Sequence, residues 1–258
     1  MLRVPRDAAG RVACDLERGG RLETRRRLPI LSFHRIGAPP PEWDSWFYVP
    51  EGTFVDHLRY LRETGWQVID LGAFLAGLTA PDSLPEKAAL LTFDDGFRSV
   101  QEVALPWLVR FGYPAVMFVP TDFVGRSSSF DADDEPEEPI CDWAELRELQ
   151  RWEVSIQSHA VSHRRFSTLD PREQEHEVVR SKATLEAELG DPVTVLAYPY
   201  GDPGVDPGRA KSALRHAGYQ AAFLYGGGPA RLPGEDRYRL PRIAMGPDTD
   251  LVAELPAG

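Results

Sequence analysis

Short apolar runs rich in β-branched and aromatic residues recur along the chain. Longer stretches lie between them, in which apolar positions return every three or four residues. The runs are PILSF (29–33), AALLTF (88–93), AVMFV (115–119), VSIQS (154–158), VTVLAY (193–198) and QAAFLY (220–225). Each reads as continuous rather than alternating, the pattern of a strand buried on both faces. TFVDHLRYLRETG (53–65) places apolar residues at 54, 55, 58 and 61 and stops at Gly65, which predicts an amphipathic helix. RSVQEVALPWLVRFG (98–112) predicts another, kinked or broken at Pro106. DPREQEHEVVRSKATLEAELG (170–190) and DPGRAKSALRHAGY (206–219) each open on Asp-Pro, the grammar of a capped helix with proline in its first turn. CDWAEL predicts a helix start at Trp143. Strands alternating with helices predict an α/β domain of parallel strands covered by helices. No glycine-rich phosphate loop follows any strand, which favours a barrel over an open sheet.

Two stretches stand outside this rhythm. Residues 1–27 lack periodicity and predict a loose or disordered extension ahead of a catalytic domain at 28–258. GRSSSFDADDEPEEP (125–139) is polar and acidic, and it predicts a solvated surface loop; it lacks the spacing and glycine of a calcium loop. No apolar run approaches the ~20 residues of a membrane span. The N-terminal stretch is polar with mixed charges, so the sequence as written predicts a cytoplasmic protein, or an extracytoplasmic one if its start has been trimmed.

Of 258 residues, 42% are hydrophobic and 27% charged, ordinary for a globular protein. The net charge of −11 argues against nucleic acid or anionic lipid as a principal partner and suits a neutral or cationic substrate. The two cysteines, Cys14 and Cys141, form no CxxC pair and signal neither a disulfide framework nor a thiolate metal site. Cys141 reads as a small semi-buried residue rather than a nucleophile.

The candidate chemistry gathers where strands end. LLTFDDGFRS (90–99) sets Asp94 and Asp95 side by side before a glycine. Adjacent carboxylates repel, so the pair is either a plain Asp-Gly turn or half of a cation site. SIQSHAVSH (155–163) delivers His159 and His163 after another strand; two imidazoles and one carboxylate are a common divalent-metal set with open positions. LAYPYGD (196–202) ends a third strand in a turn set by Pro199 and Gly201. That turn is either structural or aims the Tyr200 backbone N–H at a developing oxyanion. His34 follows the first run. In a βα barrel the C-terminal strand ends share one face, and sites are built there. The aromatic cluster Trp43, Trp46, Phe47 and Tyr48 just after His34 suits either a core or a sugar-stacking groove.

TFDDG, SHAVSH and AYPYG in this order resemble the polysaccharide deacetylases, the NodB-homology domain of carbohydrate esterase family four. PILSFHRI and YRLPRIAM (238–245) resemble the branch that de-N-acetylates poly-N-acetylglucosamine. The likeness runs from about residue 28 to 245. It implies a distorted (β/α) barrel with fewer than eight regular units. It also implies a metal-dependent hydrolase that removes N-acetyl groups from an N-acetylhexosamine saccharide. Asp95, His159 and His163 are the implied metal ligands, and Asp94 the general base. Tyr200, beside Pro199, supplies the oxyanion N–H, and Ser162 supports the histidine loop. The implied cofactor is one divalent ion, zinc by default, with nickel, cobalt or iron as other occupants. The late Leu-x-His acid of many members is missing here, and His34 takes its place. The usual arginine before the Pro-Tyr turn is replaced by Ala197 and Tyr198, which leaves Arg242 in LPRI to orient Asp94. Two other readings stay open: an O-acetyl esterase on acetylated polysaccharide, and a carbohydrate-binding relative without turnover. A two-metal phosphoesterase would need more ligands than the sequence offers. The oligomeric state is not legible.

Overall fold

All six apolar runs are strands in the computed structural model, which describes residues 26–233 and 236–255. They form β1 (Ile30–Phe33), β2 (Ala88–Phe93), β3 (Ala115–Val119), β4 (Val154–Ser158), β5 (Val195–Ala197) and β6 (Ala221–Gly227). A seventh, β7 (Leu240–Ala244), was not expected as a strand, because a proline and an arginine interrupt its apolar pattern. Every strand lies parallel beside its neighbours in sequence, and β7 pairs back onto β1 through Ile243 and Leu31. The result is a closed seven-stranded parallel barrel wrapped by helices, the expected distorted (β/α) barrel.

The helices between strands are α1 (Glu51–Glu63), α2 (Leu71–Thr79), α3 (Leu105–Phe111), α4 (Trp143–Arg151), α5 (Pro171–Leu189) and α6 (Pro207–His216). Asp170 caps α5 by accepting from the Arg172 and Glu173 N–H groups at 2.8 and 2.9 Å, and Gly190 ends it in a left-handed turn. Trp143 opens α4 as expected, behind the capping aspartate Asp142. Pro106 lies in the first turn of α3, where its missing N–H is tolerated; a wide turn over Val100–Ala104 leads into it.

The two faces of each strand go to different places. Leu31, Phe33, Leu91 and Met117 pack outward beneath Phe54 and Leu58 of α1 and their counterparts on other helices. Ile30, Leu90, Val116, Phe118 and Phe223 fill the lumen together with Phe74 of α2, whose ring centroid is 5.5 Å from that of Phe223. Helix α2 thus plugs the floor of the barrel. Toward the mouth the inward row turns polar, with Thr92, Asp94 and Arg242 all buried. This gradient puts chemistry at one end only.

Three expectations need correction. The run at 193–198 gives only a three-residue strand, because the Gln157 side chain takes the Thr194 and Val195 N–H groups at 2.8 and 3.1 Å in place of a neighbouring strand. The expected extension lies outside the described residues as far as position 25. Arg26 and Arg27 belong to a strand, Arg26–Leu28, paired antiparallel with Ala230–Leu232. The acidic segment 125–139 is not simply solvated. It is tied down by the Ser127–Pro139 bridge and folds over the barrel mouth.

Candidate active site

Two adjacent aspartates can be placed apart only if the backbone turns sharply between them. Asp94 continues the inward row of β2. Asp95 and Gly96 then adopt φ of 68° and 75°, which throws the Asp95 carboxylate away from that of Asp94. Among the described residues five non-glycine positions have positive φ, and Asp95, Ala160, His163 and Tyr200 are four of them. Strain of this kind persists where the surroundings enforce it, and here it marks the loops after β2, β4 and β5.

Those loops bring the expected ligands together. His159 and His163 place their Nε2 atoms 3.2 and 3.0 Å from Asp95 Oδ1. His159 Nδ1 lies 2.8 Å from the Ala197 carbonyl, so it carries the proton and leaves Nε2 as a bare donor. Asp95 Oδ1 meets neither imidazole with hydrogen-bond geometry, and no donor reaches it. All three side chains are buried, and their donor atoms lie within 4.8 Å of one another. Three lone-pair donors aimed at one point, with an orphaned carboxylate oxygen among them, fit a divalent cation. Burial alone would raise the Asp95 pKa, but the histidines beside it hold it well below the ordinary 3.8.

Asp94 is gripped from inside the barrel. Arg242 Nη1 and Nη2 donate to Asp94 Oδ1 and Oδ2 at 2.8 and 2.6 Å, while Nε donates to the Leu224 carbonyl at 2.7 Å. Burial would raise the Asp94 carboxyl; the Arg242 charge and hydrogen bonds outweigh it and hold the group ionised below its usual range. The replacement arginine is therefore where the sequence reading put it. His34 Nε2 is 3.9 Å from Asp94 Oδ2, and its ring is wedged edge-on between Phe47 and Tyr225. Burial depresses the His34 pKa below 6.5 against the pull of the two aspartates.

Tyr200 is 38% exposed, and its backbone N–H takes no hydrogen-bond partner among the described residues. A side chain at Gly201 would strike the Tyr225 backbone, its Cβ within 2.5 Å of the Tyr225 nitrogen, so the turn after Pro199 is closed to any other residue. Arg242 is buried behind Asp94, and His34, Asp94, Asp95, His159, His163, Tyr200 and Tyr225 line one cavity of about 300 Å³. Cys141 is fully buried away from it, with its thiol pushed up to about 12 by that burial, which removes it as a nucleophile.

Several lining residues escaped the sequence reading. Tyr225 closes the apolar run QAAFLY and lies within β6, and a search of run ends like the one that found His34 would have found it. Arg35, Glu135 and Asp131 were not legible. Arg35 is buried over the Phe97 ring and donates to Glu135 at 3.1 Å, and Asp131 accepts from the Tyr200 hydroxyl. These contacts convert the acidic segment into a wall of the cavity.

Ser162 supports the histidine loop through a partner that sequence did not suggest. Glu177 of α5, buried, accepts from the Val161 N–H at 2.6 Å, the Ser162 N–H at 2.9 Å and the Ser162 hydroxyl. Glu177→Ala leaves one buried and one half-buried amide unpaired, an expected loss of roughly 2 kcal/mol. Urea unfolding checks that figure. Divalent-cation affinity should fall about 10- to 100-fold with it, as for other groups that hold ligands in place; unchanged affinity would make Glu177 purely structural.

Comparison with known proteins agrees with this geometry. Bacillus subtilis (strain 168) YxkH is 25% identical over 221 residues, covering 86% of this chain and 72% of its own. The poly-beta-1,6-N-acetyl-D-glucosamine N-deacetylase of Escherichia coli (strain K12) is 25% identical over 222 residues, 74% of this chain but only 32% of that much longer relative. The fold superimposes on a Streptococcus pyogenes deacetylase, PplD, solved with acetate, at a TM-score of 0.79 and 21% identity over 91% of this chain and 100% of that one. The family model for polysaccharide deacetylases matches residues 82–222. That match takes in more than half of the chain, including both aspartates, both histidines and the Pro199–Gly201 turn, and the protein belongs to the polysaccharide deacetylase family.

Proposed function

We propose that this protein is a metal-dependent hydrolase that removes N-acetyl groups from N-acetylhexosamine units of a saccharide, leaving acetate and a free amine. The observation that carries the reading is the convergence of Asp95, His159 and His163 beside a carboxylate, Asp94, fixed by a buried arginine. The poly-N-acetylglucosamine N-deacetylase among the relatives supports the choice of an amide over an ester.

Asp95, His159 and His163 would hold one divalent cation, zinc by default for this donor set. When bound, such an ion acidifies water and polarises a carbonyl. Asp94, ionised and locked in orientation, accepts the proton of the attacking water. Tyr200 lines the same cavity, and its free N–H would stabilise the oxyanion as it forms. The departing nitrogen needs a proton, and His34, beside Asp94 and lining the same cavity, is placed to give it. An imidazolium is the kind of acid suited to that transfer near neutral pH. Asp131 and Arg165 form the outer wall around Tyr200.

The test is amine release from N-acetylglucosamine oligomers by the zinc-loaded protein. Asp94→Asn should lower kcat by about 10²–10⁴-fold, and His34→Ala by a similar factor, with the metal still bound. Acetate release from an O-acetylated sugar without amine release from the oligomers would favour the esterase reading. Undiminished turnover in His34→Ala would remove that residue from the chemistry.

A further inference from the structure

A second cavity, of about 420 Å³ and open to solvent, adjoins the catalytic one, and nothing described so far uses it. Chain neighbours connect the two. Phe47 and Tyr225 line the first; their chain neighbours Trp46 and Gly226 line the second. Trp46 is 39% exposed, yet its ring is held on two sides. Its indole Nε1 donates to Asp248 at 2.8 Å. Its other support is Gly246: a Cβ there would lie 2.0 Å from the ring, so the indole rests directly on backbone. Three successive glycines, Gly226, Gly227 and Gly228, line the same cavity and leave that part of its wall without side chains. The lining includes Asp248, Asp250 and Glu254 and no cationic residue.

A rigid, half-exposed indole lining an open cavity suits a pyranose ring, whose axial C–H face stacks on an aromatic plane. We infer that this cavity is a subsite for a neighbouring sugar of the same saccharide chain, stacked on Trp46 while the unit being hydrolysed sits beside His34 and Asp94. The aromatic sequence Trp46, Phe47, His34, with ring centroids 6.1 and 4.9 Å apart, leads from one cavity to the other. The acidic lining suits a neutral or amino sugar and disfavours a uronic acid. The inference rests on the saccharide reading of the catalytic pocket.

The test separates the two. The Trp46 indole N–H resonance, assigned by its loss in Trp46→Phe, is followed in the zinc-loaded wild-type protein during titration with N-acetylglucosamine tetramer, dimer and a hexuronate tetramer. The expected result is a saturable shift with the N-acetylglucosamine tetramer, a weaker one with the dimer and none with the hexuronate. In parallel, the ratio of kcat/KM for tetramer over dimer should fall about tenfold in Trp46→Ala and recover in Trp46→Phe. An indole resonance unmoved by saturating tetramer overturns the subsite, as does an equal loss on both oligomers in Trp46→Ala. A shift without amine release from either oligomer keeps the subsite and overturns the deacetylase reading; release with a silent indole does the reverse. The wild-type titration decides the matter even if the alanine variant fails to fold.

Discussion

Replacing Arg242 with methionine should lower the stability of this protein by about 3–5 kcal/mol, because it strands a carboxylate inside the barrel. Arg242 is fully buried, with its guanidinium 5.5 Å above the Phe118 ring and 5.9 Å from that of Phe223. Methionine keeps much of that apolar contact, so the loss reports the charge. The pH dependence should change sign. In the parent, Asp94 is held below its ordinary 3.8, so its contribution is complete above that value and lost as pH falls through the depressed one. In Arg242→Met, burial is left to act with little opposition and raises the Asp94 carboxyl. The folded state then binds a proton before the unfolded one does, and the variant should regain stability on acidification from neutral pH toward 4. Urea midpoints of both proteins across that range check the sign. A variant with an unchanged midpoint at neutral pH would show that the pair contributes nothing.

His163→Ala should abolish tight binding of a divalent cation and, on the proposed function, lower kcat/KM by roughly 10³-fold, about 4 kcal/mol of transition-state stabilisation. Removing one of three ligands leaves a site of one carboxylate and one imidazole, too few to hold an ion against water. Metal analysis after dialysis gives a readout independent of turnover. Cation binding in the wild type should also weaken as pH falls. Burial lowers the His159 pKa, but the Asp95 and Asp94 carboxylates and the Ala197 carbonyl raise it above 6.5 overall, so protons compete for its Nε2 through the neutral range. Affinity that stays flat from pH 8 to 5.5 would mean that His159 is not a ligand. Full retention of metal by His163→Ala would dissolve the proposed centre.

What the sequence discloses about this fold follows from how far each signal is local. A strand buried on both faces is written in four to six consecutive residues, so β1, β2, β3 and β4 are legible almost to the residue. The polar residue that ends such a run marks the barrel mouth, which is how Asp94, His34 and His159 declare themselves. Strand β7 hides because its inward row carries Arg242, whose burial makes sense only once Asp94 lies opposite, 148 positions away in the chain. Helix α2 hides because LGAFLAGL is apolar on nearly every side, although only Leu71, Phe74 and Gly77 are buried, and so lacks the amphipathic stripe. The segment 125–139 looks solvated because its acids are counted without their partners. Arg35, Ser45 and Tyr200 lie on other loops, and only the folded chain brings Glu135 and Asp131 to them.

The sealed floor of the barrel sets the traffic rules for whatever it processes. With Phe74 packed against the lumen from below, there is one doorway, and what goes in must come out the same way. On the proposed function, a saccharide chain would then lie across the rim rather than pass through, and its interior units would be as reachable as its terminal ones.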